Sequence, residues 1–278
     1  MSHPLLDVEA TGELESYLRR VGRVFQAFRL QDSGCVSLGV EVGGERFFVK
    51  TARSRMVAES LARAVRFHEA VRHPAIVPLR HRLLAEDRLT LVYPWAEGEV
   101  LYPATVPRTS KRSDPGSPMH RFRHLPVERA RAAVDRVIDA HLAVEDAGFV
   151  AVDFYDGCIL YDFGTHTLTL CDLDEYRPGP FTVTSDRLPG STRYMAPEEW
   201  RRGATIDCRT TVFNLGRAAR LLLDGGDVEA DWRGSRAQLD VIAKATDPDP
   251  DRRYTSVREL ADAWRSANAG VPSGAGVP

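Results

Sequence analysis

Nine residues in the second half of the chain, Gly190-Ser191-Thr192-Arg193-Tyr194-Met195-Ala196-Pro197-Glu198, form its most specific stretch. A run of such mixed character ending Ala-Pro-Glu is hard to reach by chance. Three other landmarks precede it: a strand-like segment ending Phe47-Phe48-Val49-Lys50, an isolated Asp153, and the triplet Asp172-Leu173-Asp174. The fold has to account for all four in this order. At 278 residues the chain has room for one large domain or two modest lobes.

Composition narrows the setting. A hydrophobic share of 43% and a charged share of 27% suit a soluble globular protein, and a net charge of −2 exerts no global pull toward nucleic acid or anionic membrane. No apolar run approaches the roughly 20 residues of a membrane span. The N-terminus lacks a basic start followed by an apolar core. Cys35, Cys158, Cys171 and Cys208 form no CxxC pair, which argues against a zinc site or disulfide framework and for a reducing compartment. The expectation is a cytoplasmic protein with neither a nucleic acid nor a membrane as partner.

Residues 12–20 read as a short helix. Strand-like segments follow at Val24–Phe28, Val36–Val42 and Arg46–Val49, with Gly43-Gly44 as a hairpin signal. Val57 to Val71 has helical spacing and ends at His73-Pro74, and two further strands are expected around Val77–Leu84 and Leu89–Tyr93. Residues 103–125 carry Arg108, Lys111, Arg112, Arg121 and Arg123 against Asp114 alone, which reads as a mobile surface loop or as a basic patch for an anionic partner. Glu128–Ala147 is a strongly amphipathic helix. Short strands at Cys158–Tyr161 and Thr167–Cys171 flank a turn, and helices are expected at about Thr210–Leu223, Ser235–Thr246 and Ser256–Ala267. The tail Gly270–Pro278 is linker-like.

The landmarks stand in the order of the phosphate-gripping lysine, catalytic aspartate, metal-binding aspartate and activation-segment anchor of a eukaryotic-type (Ser/Thr) protein kinase, and from about residue 24 to 268 the sequence resembles that superfamily, as a divergent, bacterial-like member. The resemblance implies an α+β, bilobal fold. Residues 1–96 would form an N-lobe with a short N-terminal helix, a five-stranded antiparallel sheet and one helix. Residues 97–268 would form a mainly helical C-lobe, and 269–278 a disordered tail. It also implies ATP, Mg2+ (or Mn2+) and a protein or small-molecule hydroxyl as acceptor.

Phosphoryl transfer needs a cation on the phosphates, a carboxylate for metal and a carboxylate that orients the attacking hydroxyl. The resemblance assigns these to Lys50, Asp172 and Asp153. The usual glutamate partner of the lysine falls at Ala64, which leaves either Glu59, five residues early, or no ion pair. Asp174 stands where the family has glycine. In an extended Asp-x-Asp segment the two α-carbons lie about 6–7 Å apart with both side chains on one face, so Asp172 and Asp174 would share metal, or Asp174 would cap a turn. Asp156 reads as a further ligand or substrate contact, or as an Asp-Gly turn residue. Gly34 and Val36 match the end of the glycine-rich loop, with amides from Ser33 to Cys35 available to phosphates. Tyr93 would guard the back of the base pocket, with the Pro94 carbonyl and Ala96 amide as base contacts.

The catalytic loop departs from the family. Ala151, Val152, Tyr155 and Cys158 replace its histidine, arginine, lysine and asparagine, and a thiol is too soft to replace the asparagine for magnesium. Glu198 is expected to pair with Arg253, Ser191 to offer the hydroxyl that contacts Asp153, and Thr211 to replace an aspartate beneath the loop. The 33 positions from Gly216 to Asp249 are about half of what protein kinases commonly use there, which adds weight to a small-molecule acceptor, while the Gly190–Glu198 stretch, which the family uses to shape its peptide-binding ledge, adds weight to a protein acceptor. The reading is an ATP-dependent phosphotransferase. The alternative is a pseudokinase, a nucleotide-binding or protein-interaction module, and a third idea is adenylyl transfer.

Overall fold

Strand-forming residues fill the first third of the chain and helix-forming residues the rest, and the computed structural model, which describes residues 3–31, 33–103 and 111–269, is mixed α+β accordingly. In chain order the first third contains β1 (Ala10–Thr11), α1 (Leu14–Val21), β2 (Arg23–Phe28), β3 (Cys35–Val42), β4 (Glu45–Ala52), α2 (Arg55–Ala70), β5 (His81–Ala85) and β6 (Arg88–Pro94). The strands form one six-stranded sheet in the order β1-β5-β6-β4-β3-β2. This corrects the expected five-stranded antiparallel sheet: β1 adds a sixth, parallel edge strand beside β5.

Period-2 alternation gives the sheet two apolar faces. Leu38, Val40, Val42, Phe47, Val49 and Val92 pack under Leu14 and Leu18 of α1 and under Leu5. On the opposite face Cys35, Ala52, Leu91 and Tyr93 pack against Leu61, Ala64 and Val65 of α2. The β3–β4 hairpin turns at Gly43-Gly44, both at positive φ, as the dipeptide predicts.

The remaining elements are β7 (Glu99–Val100), α3 (Pro118–Arg123), α4 (Val127–Asp146), β8 (Phe149–Val150), β9 (Ile159–Asp162), β10 (Thr167–Leu170), β11 (Arg177–Pro178), β12 (Phe181–Thr182), β13 (Thr205–Ile206), α5 (Cys208–Leu222), α6 (Arg236–Ala245) and α7 (Val257–Ala269). One core runs through α4, α5, α6 and α7 and under the β9–β10 hairpin. The two halves meet where Val77 N donates to Leu170 O at 3.0 Å and Leu170 N to Ala75 O at 2.6 Å. That pairing explains why the strand expected from Val77 begins only at His81: residues 75–77 bond to β10 instead.

The expected loop 103–125 contains α3. Ser117 Oγ accepts from His120 N at 3.1 Å, Pro118 occupies the first turn, and Met119 and Phe122 are fully buried. Its cations are largely neutralised: Arg112 pairs with Asp156, Arg121 with Glu99, and Arg123 with Asp227. Arg108 and the tail from residue 270 lie outside the described residues.

Candidate functional site

Lys50 lies on β4, paired in register with Ser37 on β3 and Leu91 on β6. Its side chain is 5% exposed and its ammonium donates to Asp172 Oδ1 at 2.5 Å and Asp174 Oδ2 at 2.6 Å. Burial alone would lower the amine pKa, but the two carboxylates outweigh it and hold the amine well above its ordinary value, so it stays charged. The fold thus joins residues 122 and 124 positions apart. Asp172 is the open member, 41% exposed against 10% for Asp174.

Asp153 follows β8 in a loop that its neighbours hold firmly. Ala151 N donates to Thr211 Oγ1 on α5 at 3.0 Å, so threonine does hold the loop from below, with one hydroxyl. Val150 and Val152 pack against Met195 of the Gly190–Glu198 stretch. The Cys158 thiol donates to the carbonyls of Asp153 (3.4 Å) and Asp172 (3.7 Å), tying the two aspartate-bearing loops together. Burial, with nearby carboxylates, drives its pKa far up, so it remains a neutral thiol. Both aspartates are non-glycine residues in the left-handed region, at φ 61 for Asp153 and 57 for Asp172. Such strain persists where surrounding structure imposes it, often at functional sites.

Among the described residues no side chain donates to the Asp153 carboxylate, and Ser191 does not contact it as expected. The Ser191 carbonyl instead accepts from Tyr194 and Met195 N, folding that stretch onto itself. Burial, then the charges of Asp172, Glu175 and Glu199, push the Asp153 carboxyl up to about 7.

Other expected residues are placed differently. Glu59 is exposed on α2 and does not pair with Lys50, whose partners come from the 172–174 segment; Ala64, fully buried, occupies the facing position on α2. Val36 pairs with Thr51 and so points to the sheet face opposite Lys50; strand alternation puts Cys35 and Ser37 on the Lys50 face instead. Asp156 is fully buried and is gripped by Arg112 through Nε at 2.5 Å and Nη2 at 2.9 Å, which removes it as a ligand or substrate contact. Gly34, at φ 74, packs against Val57 of α2, where an added Cβ would stand 3.2 Å from Cγ2. The loop amides are engaged locally, Gly34 N with Gln31 O and Cys35 N with Ser33 Oγ. Gln31 Oε1 in turn accepts from Ser37 Oγ at 2.8 Å, drawing the loop toward the Lys50 face.

Tyr93 is buried behind Lys50, its ring 5.4 Å edge-on from His68 of α2. Burial and Arg72 lower the His68 pKa to about 4, so that ring is neutral. Pro94 ends β6 opposite Phe47, Trp95 N donates to Arg46 O at 2.9 Å, and Ala96 is partly buried beside the α2 cluster. Beside Lys50 on its own face, Phe48 packs with Phe28 (5.9 Å) and Trp95 (6.4 Å), and Phe25 meets Trp95 at 4.8 Å.

Two features escaped sequence reasoning. Arg63 and Ser60 of α2 both bind the Glu175 carboxylate, at 2.6 and 2.7 Å, so α2 is tied to the loop after Asp174 by a cation on the helix. The aromatic bed carried a signal, since Phe25, Phe28 and Phe48 recur in adjacent strands, but its shared face emerges only from strand register. The expected Glu198–Arg253 pair is present, bidentate at 2.7 and 2.9 Å and almost wholly buried. Among the described residues no three His, Cys, Asp or Glu side chains converge to hold a metal ion, and no helix is long and apolar enough to cross a membrane. The sequence matches no protein-family model and none of the curated proteins.

Proposed function

We propose that the chain is an ATP-dependent phosphotransferase of the protein kinase superfamily, with a two-lobed kinase-like architecture, which transfers the γ-phosphate to a hydroxyl of a protein or small molecule. The observation that carries this reading is the meeting of Lys50 with Asp172, beside a strained Asp153 whose carboxylate has no side-chain donor among the described residues. An ammonium has three donors, so Lys50 can hold a phosphate oxygen while keeping a carboxylate. Asp153, with its carboxyl near 7, is matched to orienting a hydroxyl and taking its proton. The rings of Phe28, Phe48 and Trp95, tilted to one another by 52° and 49°, offer apolar surface for the base on the Lys50 face.

The donor set fits magnesium sparingly. Magnesium is commonly held by one or two carboxylates, with phosphate oxygens and water completing its shell. Asp172 offers hard oxygen donors and is open enough for that role, whereas the Cys158 thiol is neutral and directed at carbonyls. When bound, the ion would offset charge on the phosphates. A second reading, a pseudokinase that binds nucleotide without turnover, draws on Tyr155 and Cys158, neutral side chains where the family has a lysine and an asparagine.

The test is to incubate purified chain with γ-labelled ATP and magnesium or manganese, with native extract as acceptor, beside Asp172→Asn. The expected outcome is nucleotide-induced thermal stabilisation and label in protein or small-molecule fractions, lost in the variant. Stabilisation without transfer or hydrolysis under either metal would select the pseudokinase reading. Absence of stabilisation would count against both.

A further inference from the structure

Lys50 needs a fixed counter-charge, and α2 does not supply one. Its position facing the β4 cluster is Ala64, packed with Cys35, Ala52, Leu91 and Tyr93. Glu59 is exposed, and Glu69 pairs with Arg82 on β5 at 3.1 Å. What α2 presents toward the loop is the reverse charge, Arg63 on Glu175.

The two carboxylates that do reach Lys50 are not equivalent. Asp172 is largely open and sits at the strained start of the segment. Asp174 is closed in and lies between two anchored neighbours. Leu173 is 2% exposed in the helical core. Glu175 is held by Ser60, Arg63 and Arg177. Tyr176 is fully buried, with its hydroxyl 2.8 Å from His141 Nε2. A carboxylate between such anchors keeps its place when the open one is drawn away.

We propose that Asp174 is the positioning residue for Lys50, replacing from the loop after β10 the carboxylate that α2 lacks at position 64. On nucleotide binding Lys50 keeps Asp174 and exchanges Asp172 for a phosphate oxygen, which frees Asp172 for metal. The position of the ammonium then follows the 172–176 segment and not the placement of α2. This inference rests on the nucleotide-binding reading above but makes a separate claim about which carboxylate does what.

The experiment compares Asp174→Asn, Asp172→Asn and the double variant Asp174→Asn/Ala64→Glu with the wild type. Three quantities are read: ADP affinity in EDTA by calorimetry, manganese affinity of the nucleotide-free chain by electron paramagnetic resonance, and acetic-anhydride labelling of Lys50 by peptide mass spectrometry. Loss of a charge-assisted contact predicts that Asp174→Asn weakens metal-free ADP binding about tenfold or more. It should raise Lys50 labelling and leave manganese affinity at the wild-type level, while Asp172→Asn lowers manganese affinity. Glutamate at position 64 should restore ADP affinity and return labelling toward wild type. Unchanged Lys50 labelling in Asp174→Asn would overturn the proposal, as would a loss of manganese affinity equal to that of Asp172→Asn, which would make Asp174 a metal ligand. Should the wild type bind no ADP, the nucleotide reading fails, and the labelling series still decides the role of Asp174.

Discussion

Two cation–carboxylate clusters, Glu198–Arg253 and Lys50–Asp172–Asp174, use similar chemistry to opposite ends. Arg253 is 0% exposed and Glu198 3%, and the pair is bidentate. Arg253 also donates to the carbonyls of Asp247, Pro248 and Arg209, and Glu198 accepts from Thr210. Charges balance and every bond is satisfied within the fold. At Lys50 one cation faces two carboxylates, a third acid stands by with no side-chain donor among the described residues, one carboxylate opens to solvent, and two backbones are strained. A closed, balanced pair has nothing left to offer a ligand, whereas an open and over-acidic one does. The difference separates scaffold from site.

Breaking the closed pair should have the largest effect. Arg253→Ala leaves Glu198 buried and uncompensated, and is expected to destabilise the fold by about 3–5 kcal/mol. Urea denaturation checks this, and a loss below about 1 kcal/mol would show the pair to be no scaffold.

The open cluster should behave in the opposite sense. The Asp153 carboxyl is raised from 3.8 to about 7, so between those values the unfolded chain is ionised while the folded chain retains its proton. Native stability therefore falls as pH rises through that window, and the full penalty is present above about pH 7. Asp153→Asn carries no such penalty. Its stability advantage over wild type should grow from pH 4 to pH 7, to about 2–4 kcal/mol, and then level off. Glu199, also raised to about 7, is present in both proteins, and its charge ranks behind burial, Asp172 and Glu175 among the causes of the Asp153 shift. Parallel melting curves across that range would remove Asp153 from the strained site.

Smaller effects sharpen the boundary between the clusters. Thr211→Val strands the Ala151 amide beneath the Asp153 loop, and a loss of about 1–3 kcal/mol is expected by denaturation. Glu59→Ala should change stability by less than about 0.5 kcal/mol and leave nucleotide affinity intact. A clear fall in that affinity would return Glu59 to the site.

How much of this could be read from the sequence follows the same division. Glu198 and Arg253 belong to local patterns, Ala-Pro-Glu and Asp-Pro-x-x-Arg, and their pairing followed from the resemblance. The main helices followed from their apolar spacing, with ends within a few residues of α2, α4, α5, α6 and α7. The site itself was legible only in outline. Lys50, Asp153 and Asp172 could be named, but Val36, matched to the end of the glycine-rich loop, lies on the sheet face opposite Lys50, because a one-residue change of register moves a side chain to the other face of a strand. Asp156 looked available because nothing near it in sequence reveals that Arg112, 44 residues away, closes over it. Glu59 does not partner Lys50 because the acids come from the 172–174 segment, as Asp172 and Asp174, and not from the helix. In each case the missing information is a contact between distant segments.

The central claim is that the open cluster performs phosphoryl transfer with Asp153 as the acceptor-side carboxylate. The most direct measurement is single-turnover release or transfer of label from γ-labelled ATP, with magnesium, by wild type and Asp153→Ala at matched nucleotide occupancy. A fall of about 10²–10⁴-fold in rate, with nucleotide binding retained, is the predicted result. Equal rates in the two proteins, or no turnover by a wild type that binds nucleotide, would contradict the account.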